Sequence, residues 1–221
     1  YRHILKYLDS DHSKLSNYIA QNIQGIISSD LDYHIPYVNS KKYLGMIPNP
    51  IDIDTLNEDG KSFNQKIVIL HAINSKNKLK KGNKFFKKSL SIIEAKYSNK
   101  VEITRTTDQA YSEHIKNVKN CEILLDQVYA YDQGYNALEA MAMGKVVLTG
   151  AEKEWREHYN IVEDTVVINA MPDVSYLVEK LSWLIENPEK IKMISKNSRE
   201  FILKYHDYNV IAKKYLKAWE N

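Results

Sequence analysis

Residues 134 to 150, GYNALEAMAMGKVVLTG, set a single acid between two glycines. Gly134 opens a short amphipathic helix, Glu139 lies about one turn into it, Gly144 ends it, and a β-branched run follows. A helix starting near Tyr135 and Asn136 offers unpaired N–H groups and a partial positive charge. Gly134 carries no side chain to keep an anionic ligand off that backbone. Glu139 then lies within reach of hydroxyl groups on a ligand docked at the helix start. The same residues also suit a plain connecting helix with a solvated glutamate, so the stretch alone leaves both readings open.

Other residues with chemical potential are read the same way. His71 ends an apolar run, KIVILHAI (66–73), and either lines a pocket there or is a satisfied structural histidine. Asp126 ends CEILLD (121–126) and either faces a ligand or caps a loop. Lys76, Lys78, Lys80, Lys81, Lys84, Lys87 and Lys88 form a dense cationic stretch, most of which reads as a solvated loop and helix face. The other histidines lack metal-ligand spacing, and the DID of 52–54 is flanked by prolines, so a structural role is expected there and no metal. Cys121, the only cysteine, reads as a small core residue, and it excludes an intramolecular disulfide.

The elements that position these residues alternate. Strands are expected at 25–29, 66–73, 100–104, 121–126, 145–149 and 165–169. Helices are expected over 1–22, within a lysine-rich loop and helix spanning about 76–97, over 108–119, the stretch after Gly134, 152–159, and in pieces from Val174 onward broken near Pro188 and 206–209. In the first helix, Ile4, Leu8, Leu15 and Ile19 share a face. The two prolines of MIPNPID (46–52) call for an extended connector. Apolar strands alternating with helices predict an α/β, Rossmann-like doubly wound parallel sheet. Ligands bind such sheets at the carboxyl ends of the strands. Balanced charge, +3 from 31 basic and 28 acidic residues, argues against nucleic acid as a partner. No apolar run approaches the ~20 residues of a membrane span. A cytoplasmic location follows as the expectation, with the inner membrane face as its extension. The chain opens at YRHILKYLD, inside a helix with no cap, as a piece of a longer protein would.

YDQGYNALEAMAMGKVVLTG resembles the donor-binding motif of retaining GT-B glycosyltransferases of the family-four, group 1 type. Gly134 falls on the motif's second glycine, LEAMAMG (138–144) is nearly identical to it, and Glu139 falls on its second glutamate, which in that family binds donor ribose hydroxyls. IPNPID (47–52) resembles the passage between the two GT-B domains. HAINSKNKLKKG (71–82) resembles the loop whose cations grip the donor diphosphate, with Lys81 and Gly82 on its Lys-Gly and Lys76 where an arginine would be. The resemblance implies a tail of an acceptor domain over 1–47, a nucleotide-sugar-binding domain over 48–205 and a crossover helix over 206–221. It implies transfer of a sugar from a nucleotide diphosphate-sugar to a glycan or lipid-linked acceptor, without a metal or other cofactor.

Lys81, Lys76 and the helix start at Gly134, Tyr135 and Asn136 would then carry the diphosphate, His71 and Gly82 would line it, and Thr106 in RTTD (105–108) would lie at the base. The motif's first glutamate, which handles the transferred sugar, is replaced by Tyr131. Asp132 is the nearest acid, and with Lys81 it is the expected catalytic residue. A nucleotide-sugar epimerase of the same fold and a non-catalytic nucleotide-sugar-binding module are the competing readings.

Overall fold

The computed structural model describes residues 9–56, 66–75 and 81–220. The order is α1 (Ser10–Asn22), β1 (Ile26–Ser28), α2 (Leu31–Tyr37), β2 (Tyr43–Met46), β3 (Ile67–Ile73), α3 (Asn83–Lys96), β4 (Val101–Thr107), α4 (Tyr111–Lys119) and β5 (Ile123–Leu125). It continues with α5 (Tyr135–Ala142), β6 (Val146–Thr149), α6 (Lys153–Tyr159), β7 (Ile168–Asn169), α7 (Val174–Glu186), α8 (Pro188–Tyr205) and α9 (Tyr208–Glu220). Strands β3 to β7 form one parallel sheet in the order β4-β3-β5-β6-β7, and β1 and β2 form a small parallel pair.

The central strands are apolar because both of their faces are covered. Leu70, Leu124 and Val147 pack with Leu138, Met141, Trp155 and Phe201 on one side. Ile69, Ile123, Leu125, Val146 and Leu148 pack with Phe86, Leu90, Ile93, Leu177 and Leu181 on the other. The alternation along each strand is the period of two that a pleated strand imposes. The edge strand β4 runs longer than expected, to Thr107, and alternates polar residues into water, while β7 is shorter than expected, at Ile168–Asn169.

The strand order reverses between β3 and β5: the chain steps from β3 outward to β4, then crosses back past β3 to β5. Loops diverge at such a point and leave a crevice at the carboxyl ends. Three helices, α3, α4 and α5, begin along this edge.

Ahead of the sheet lie elements that departed from expectation. In α1, Leu15 and Ile19 are exposed and no residue is buried; Ile4 and Leu8 of its expected face lie outside the described residues. α2 and β2 were not expected. Pro36 interrupts the helical pattern of α2, and its start is set by Asp30, whose side chain accepts the Tyr33 N–H, and by burial of Leu31 in the main core. The proline-bearing connector runs beside the corner before α9. His206 Nδ1 donates to the Asn49 carbonyl at 2.8 Å, Ile51 N to the His206 carbonyl at 2.7 Å, and the Tyr208 hydroxyl to Asp54 at 2.8 Å.

Candidate nucleotide-binding cleft

The crevice at the reversal point is a cleft of about 500 Å³, lined by Ala72, Ile73 and Asn74 after β3, Lys81, Thr106, Asp108 and Gln109 around the end of β4, His114 of α4 and Asn136 of α5. That size suits a small-molecule ligand. Among the described residues no side chain caps any of the three helices that open onto this edge, and two of them begin behind a glycine, α3 behind Gly82 and α5 behind Gly134. Their first N–H groups and dipoles favour negative charge.

Glycine is required at the first of these. Gly82 has φ +61°, in the left-handed region, and a Cβ there would stand 2.0 Å from Val128 Cγ2. At Gly134 the requirement is different: its φ is ordinary, and a Cβ would meet nothing within 4 Å. What glycine leaves there is open approach to the α5 backbone.

Beneath the cleft lies Asp126, whose side chain is sealed from water. It accepts hydrogen bonds from Lys81 Nζ, from Asn136 Nδ2 at 2.7 Å and from the Thr149 hydroxyl at 3.1 Å. Asn136 therefore presents its Oδ1 to His114 Nε2, 2.6 Å away, and that nitrogen must carry the proton. These two partners fix the orientation of the Asn136 side chain, and the backbone of the first helical turn lies beside it. Glu139, half-buried, accepts the Tyr111 hydroxyl at 3.0 Å, and burial raises its carboxyl above the usual range despite that bond.

The structure thus brings Lys81, Gly82, Thr106, Gly134 and Asn136 to one edge, with Glu139 one turn behind. Tyr135 is exposed at the start of α5. Lys76 lies outside the described residues. His71 is not among the lining residues: it is buried below them, edge-on to Phe86 at 5.6 Å, with Nε2 3.2 Å from Asn83 Oδ1. Burial lowers its pKa. The His114 and Tyr111 contacts were not anticipated. Both residues sit on one polar helix face, three apart, and only the approach of α4 to α5 gives them partners.

Asp132 is turned inward, though not into the cleft. Its carboxylate accepts Leu31 N at 3.1 Å and Gln133 N at 2.6 Å. In return, Asp32 accepts Tyr131 N at 3.2 Å, so α2 and the 131–133 loop are tied reciprocally. Burial pushes the Asp132 carboxyl up to about 7, against the pull of the Gln133 and Leu31 amides. The same loop packs on Gly150, where a Cβ would stand 2.4 Å from the Ala130 carbonyl oxygen. Gln127 and Gln133 brace it through the Asp132 and Gly150 carbonyls.

A family model described as glycosyl transferase-like matches residues 77–217, well over half of the chain. The chain belongs to that family. No curated protein sequence matches it. Among solved structures, S. aureus TarM in complex with fondaparinux, alpha-GlcNAc-glycerol and UDP aligns at TM-score 0.74 and 13% identity, over 96% of this chain and 47% of TarM. Anabaena HepE in complex with UDP and glucose aligns at TM-score 0.73 and 13% identity, over 98% of this chain and 68% of that protein. Sucrose-phosphate synthase from Thermosynechococcus elongatus aligns at 0.70 and 13%, over 98% and 65%. This chain therefore spans about half the length of TarM and about two thirds of the other two. Its parallel five-stranded sheet, flanked by helices, is the architecture of GT-B glycosyltransferase C-terminal domains. Among the described residues of this glycosyltransferase-like chain, no helix is long and apolar enough to cross a membrane, and no group of three or more His, Cys, Asp or Glu side chains is placed to hold a metal ion.

Proposed function

We propose that this chain is the donor-binding part of a retaining GT-B glycosyltransferase of the family-four type, acting on a nucleotide diphosphate-sugar. One observation carries the reading: Lys81 lies at a cleft onto whose edge two helix N-termini open behind glycines, neither capped by a described side chain. That is a site for a diphosphate. In the transfer, the bond from the anomeric carbon to the diphosphate oxygen breaks and a bond to the acceptor oxygen forms. The acceptor's proton leaves with the departing phosphate or to water. The protein's contribution is to stabilise charge growing on the diphosphate with fixed dipoles and Lys81, with Lys76 as a second cation. The reading needs no metal. Retention and the family-four assignment rest on the resemblance around Glu139, whose carboxylate would bind the ribose. The acceptor, a glycan or lipid-linked molecule, would be held by an acceptor domain to which residues 1–47 belong, and the complete enzyme would work in the cytoplasm, with the inner membrane face as the extension of that reading.

A thermal-shift screen of nucleoside diphosphates and their sugars, with and without EDTA, tests this. A ligand at a hundred times its Kd stabilises by about 2.7 kcal/mol, roughly 5–11 °C for a chain of this size. Absence of any shift with all common nucleoside diphosphates would defeat the reading, and a shift abolished by EDTA would defeat its metal-free form.

A non-catalytic nucleotide-sugar-binding module has one observation in its favour. Tyr131 stands where the sugar-binding acid is expected, and the Asp132 carboxylate is occupied by two backbone amides. Tight nucleoside diphosphate binding with no gain from the attached sugar, and no turnover with an acceptor domain supplied, would favour that module.

A further inference from the structure

We propose that Asp126 is a positioning residue of the cleft, aiming Lys81 and the first turn of α5 at a single diphosphate; the inference rests on the donor-site reading above. The carboxylate is fully buried, and its donors come from three separate elements: Lys81 at the entrance of α3, Asn136 in the first turn of α5, and Thr149 at the end of β6. A buried carboxylate is tolerated only when paired and hydrogen-bonded, so these contacts hold one another in place. Through Asn136 the chain of bonds extends to His114 on α4. One side chain therefore ties together the starts of two helices that have no side-chain cap among the described residues.

Lysine suits this task because its ammonium has three protons on a flexible stem. One proton directed at Asp126 leaves two for phosphate oxygens, in a direction that the stem alone does not define. Lys81 is itself largely buried, with 18% of its side chain exposed, so it cannot reach solvent as freely as the lysines further along α3. Asp126 adds negative charge below an anion site, and the competing expectation is that it merely repels the ligand. The two expectations have opposite signs.

Calorimetry of the whole chain with inorganic pyrophosphate, UDP, GDP and the bare nucleosides separates them, using Asp126→Asn, Lys81→Ala and the double variant. The expected result is that Asp126→Asn weakens pyrophosphate and the diphosphate it binds by about tenfold or more, about 1.4 kcal/mol, while nucleoside binding holds. Because Asp126 acts through Lys81, adding Asp126→Asn to Lys81→Ala should cost less than about twofold further. Asp126→Asn binding pyrophosphate as tightly as the parent, or more tightly, overturns the inference, as do equal losses in both backgrounds. Should Asp126→Asn fail to fold, a crystal structure of the parent with pyrophosphate decides. Lys81 Nζ touching both Asp126 and phosphate upholds the inference, and Lys81 having left Asp126 refutes it. If the parent binds neither pyrophosphate nor any nucleoside diphosphate, the donor-site reading falls and this inference with it; if the parent binds and the variant is unaffected, only the inference falls.

Discussion

Asp132→Asn measures what it costs to bury a carboxylate where α2 meets the 131–133 loop. The residue is 4% exposed, and burial moves its carboxyl from 3.8 to about 7. A carboxyl with a raised pKa binds its proton more tightly in the folded chain than in the unfolded one. Its ionisation therefore costs no stability below about pH 4, costs progressively more between about 4 and 7, and exacts its full cost above 7. At 1.36 kcal/mol per pH unit, the interval from 3.8 to about 7 corresponds to about 4 kcal/mol. For a chain of this size that is roughly 8–16 °C in Tm. Asparagine has no such titration, yet its amide oxygen can still accept the Leu31 N–H. Calorimetric Tm values for both proteins from about pH 5 to pH 8 at fixed ionic strength give the comparison. Shared titrations cancel in the difference. His206 is one: burial lowers its pKa to about 4, so the stability it contributes is lost as pH falls from 6.5 towards 4, the opposite direction to Asp132. Only the part of that interval between pH 5 and about 7 is scanned, so the variant should gain on the parent by about 5–11 °C from the acid end to the alkaline end. Parallel profiles would show that Asp132 is not buried as an ionisable group, and the reasoning would fail.

Gly82→Ala should lower stability by about 1–2 kcal/mol for the left-handed backbone and about 1–3 more for the collision with Val128. Adding Val128→Ala should remove the second part of that penalty and leave the first, as read by denaturant unfolding. Glu139→Gln should keep the fold and weaken nucleoside diphosphate binding by roughly 1.5–3 kcal/mol, and unchanged affinity by calorimetry would remove Glu139 from the ribose. Lys81→Ala should reduce diphosphate affinity far more than nucleoside affinity, whereas Lys84→Ala and Lys88→Ala, on exposed positions, should change little; equal losses from all three would mean a diffuse basic surface. Lys81→Ala should also unfold at a lower temperature, by roughly 3–5 kcal/mol of lost stability, because it strands the buried Asp126.

The legible parts of the fold are those where one physical demand dominates. β3, β5 and β6 are covered on both faces and so had to be apolar throughout, which made KIVILHAI, CEILLD and KVVLT readable as buried strands. Pro188 and the HDYN corner broke the C-terminal helices where expected. The edges were harder. β4 carries exposed polar residues to Thr107 because that edge strand meets water, and β7, although buried, pairs over only two residues. α2 and β2 left no periodic pattern: Pro36 and Gly45, with φ +115° at the latter, break it, and tertiary contacts of Leu31 hold the helix instead.

In the cleft, the placements legible in the sequence were those set by the backbone. Gly82 and Gly134 carry their meaning in being glycine, and Lys81 follows from its place before one of them. Side chains whose roles depend on what they face were not legible. Asp126 admitted two readings because a strand-end acid looks alike whether it meets a ligand or a lysine forty-five residues earlier. His114 and Tyr111 look like ordinary helix surface until α4 is laid against α5. Asp132 shows the consequence most sharply. Sequence position places it beside the expected sugar, and the fold gives its carboxylate to the Leu31 and Gln133 amides while Asp32 takes the Tyr131 amide. For Asp132 to reach a sugar, both ties to α2 would have to open and a loop packed on the Gly150 backbone would have to move. Nucleotide binding needs none of that. On the donor-site reading proposed above, the diphosphate side of this cleft would be preformed, and recognition of the sugar would fall to Tyr131 or to groups outside the cleft unless α2 withdraws.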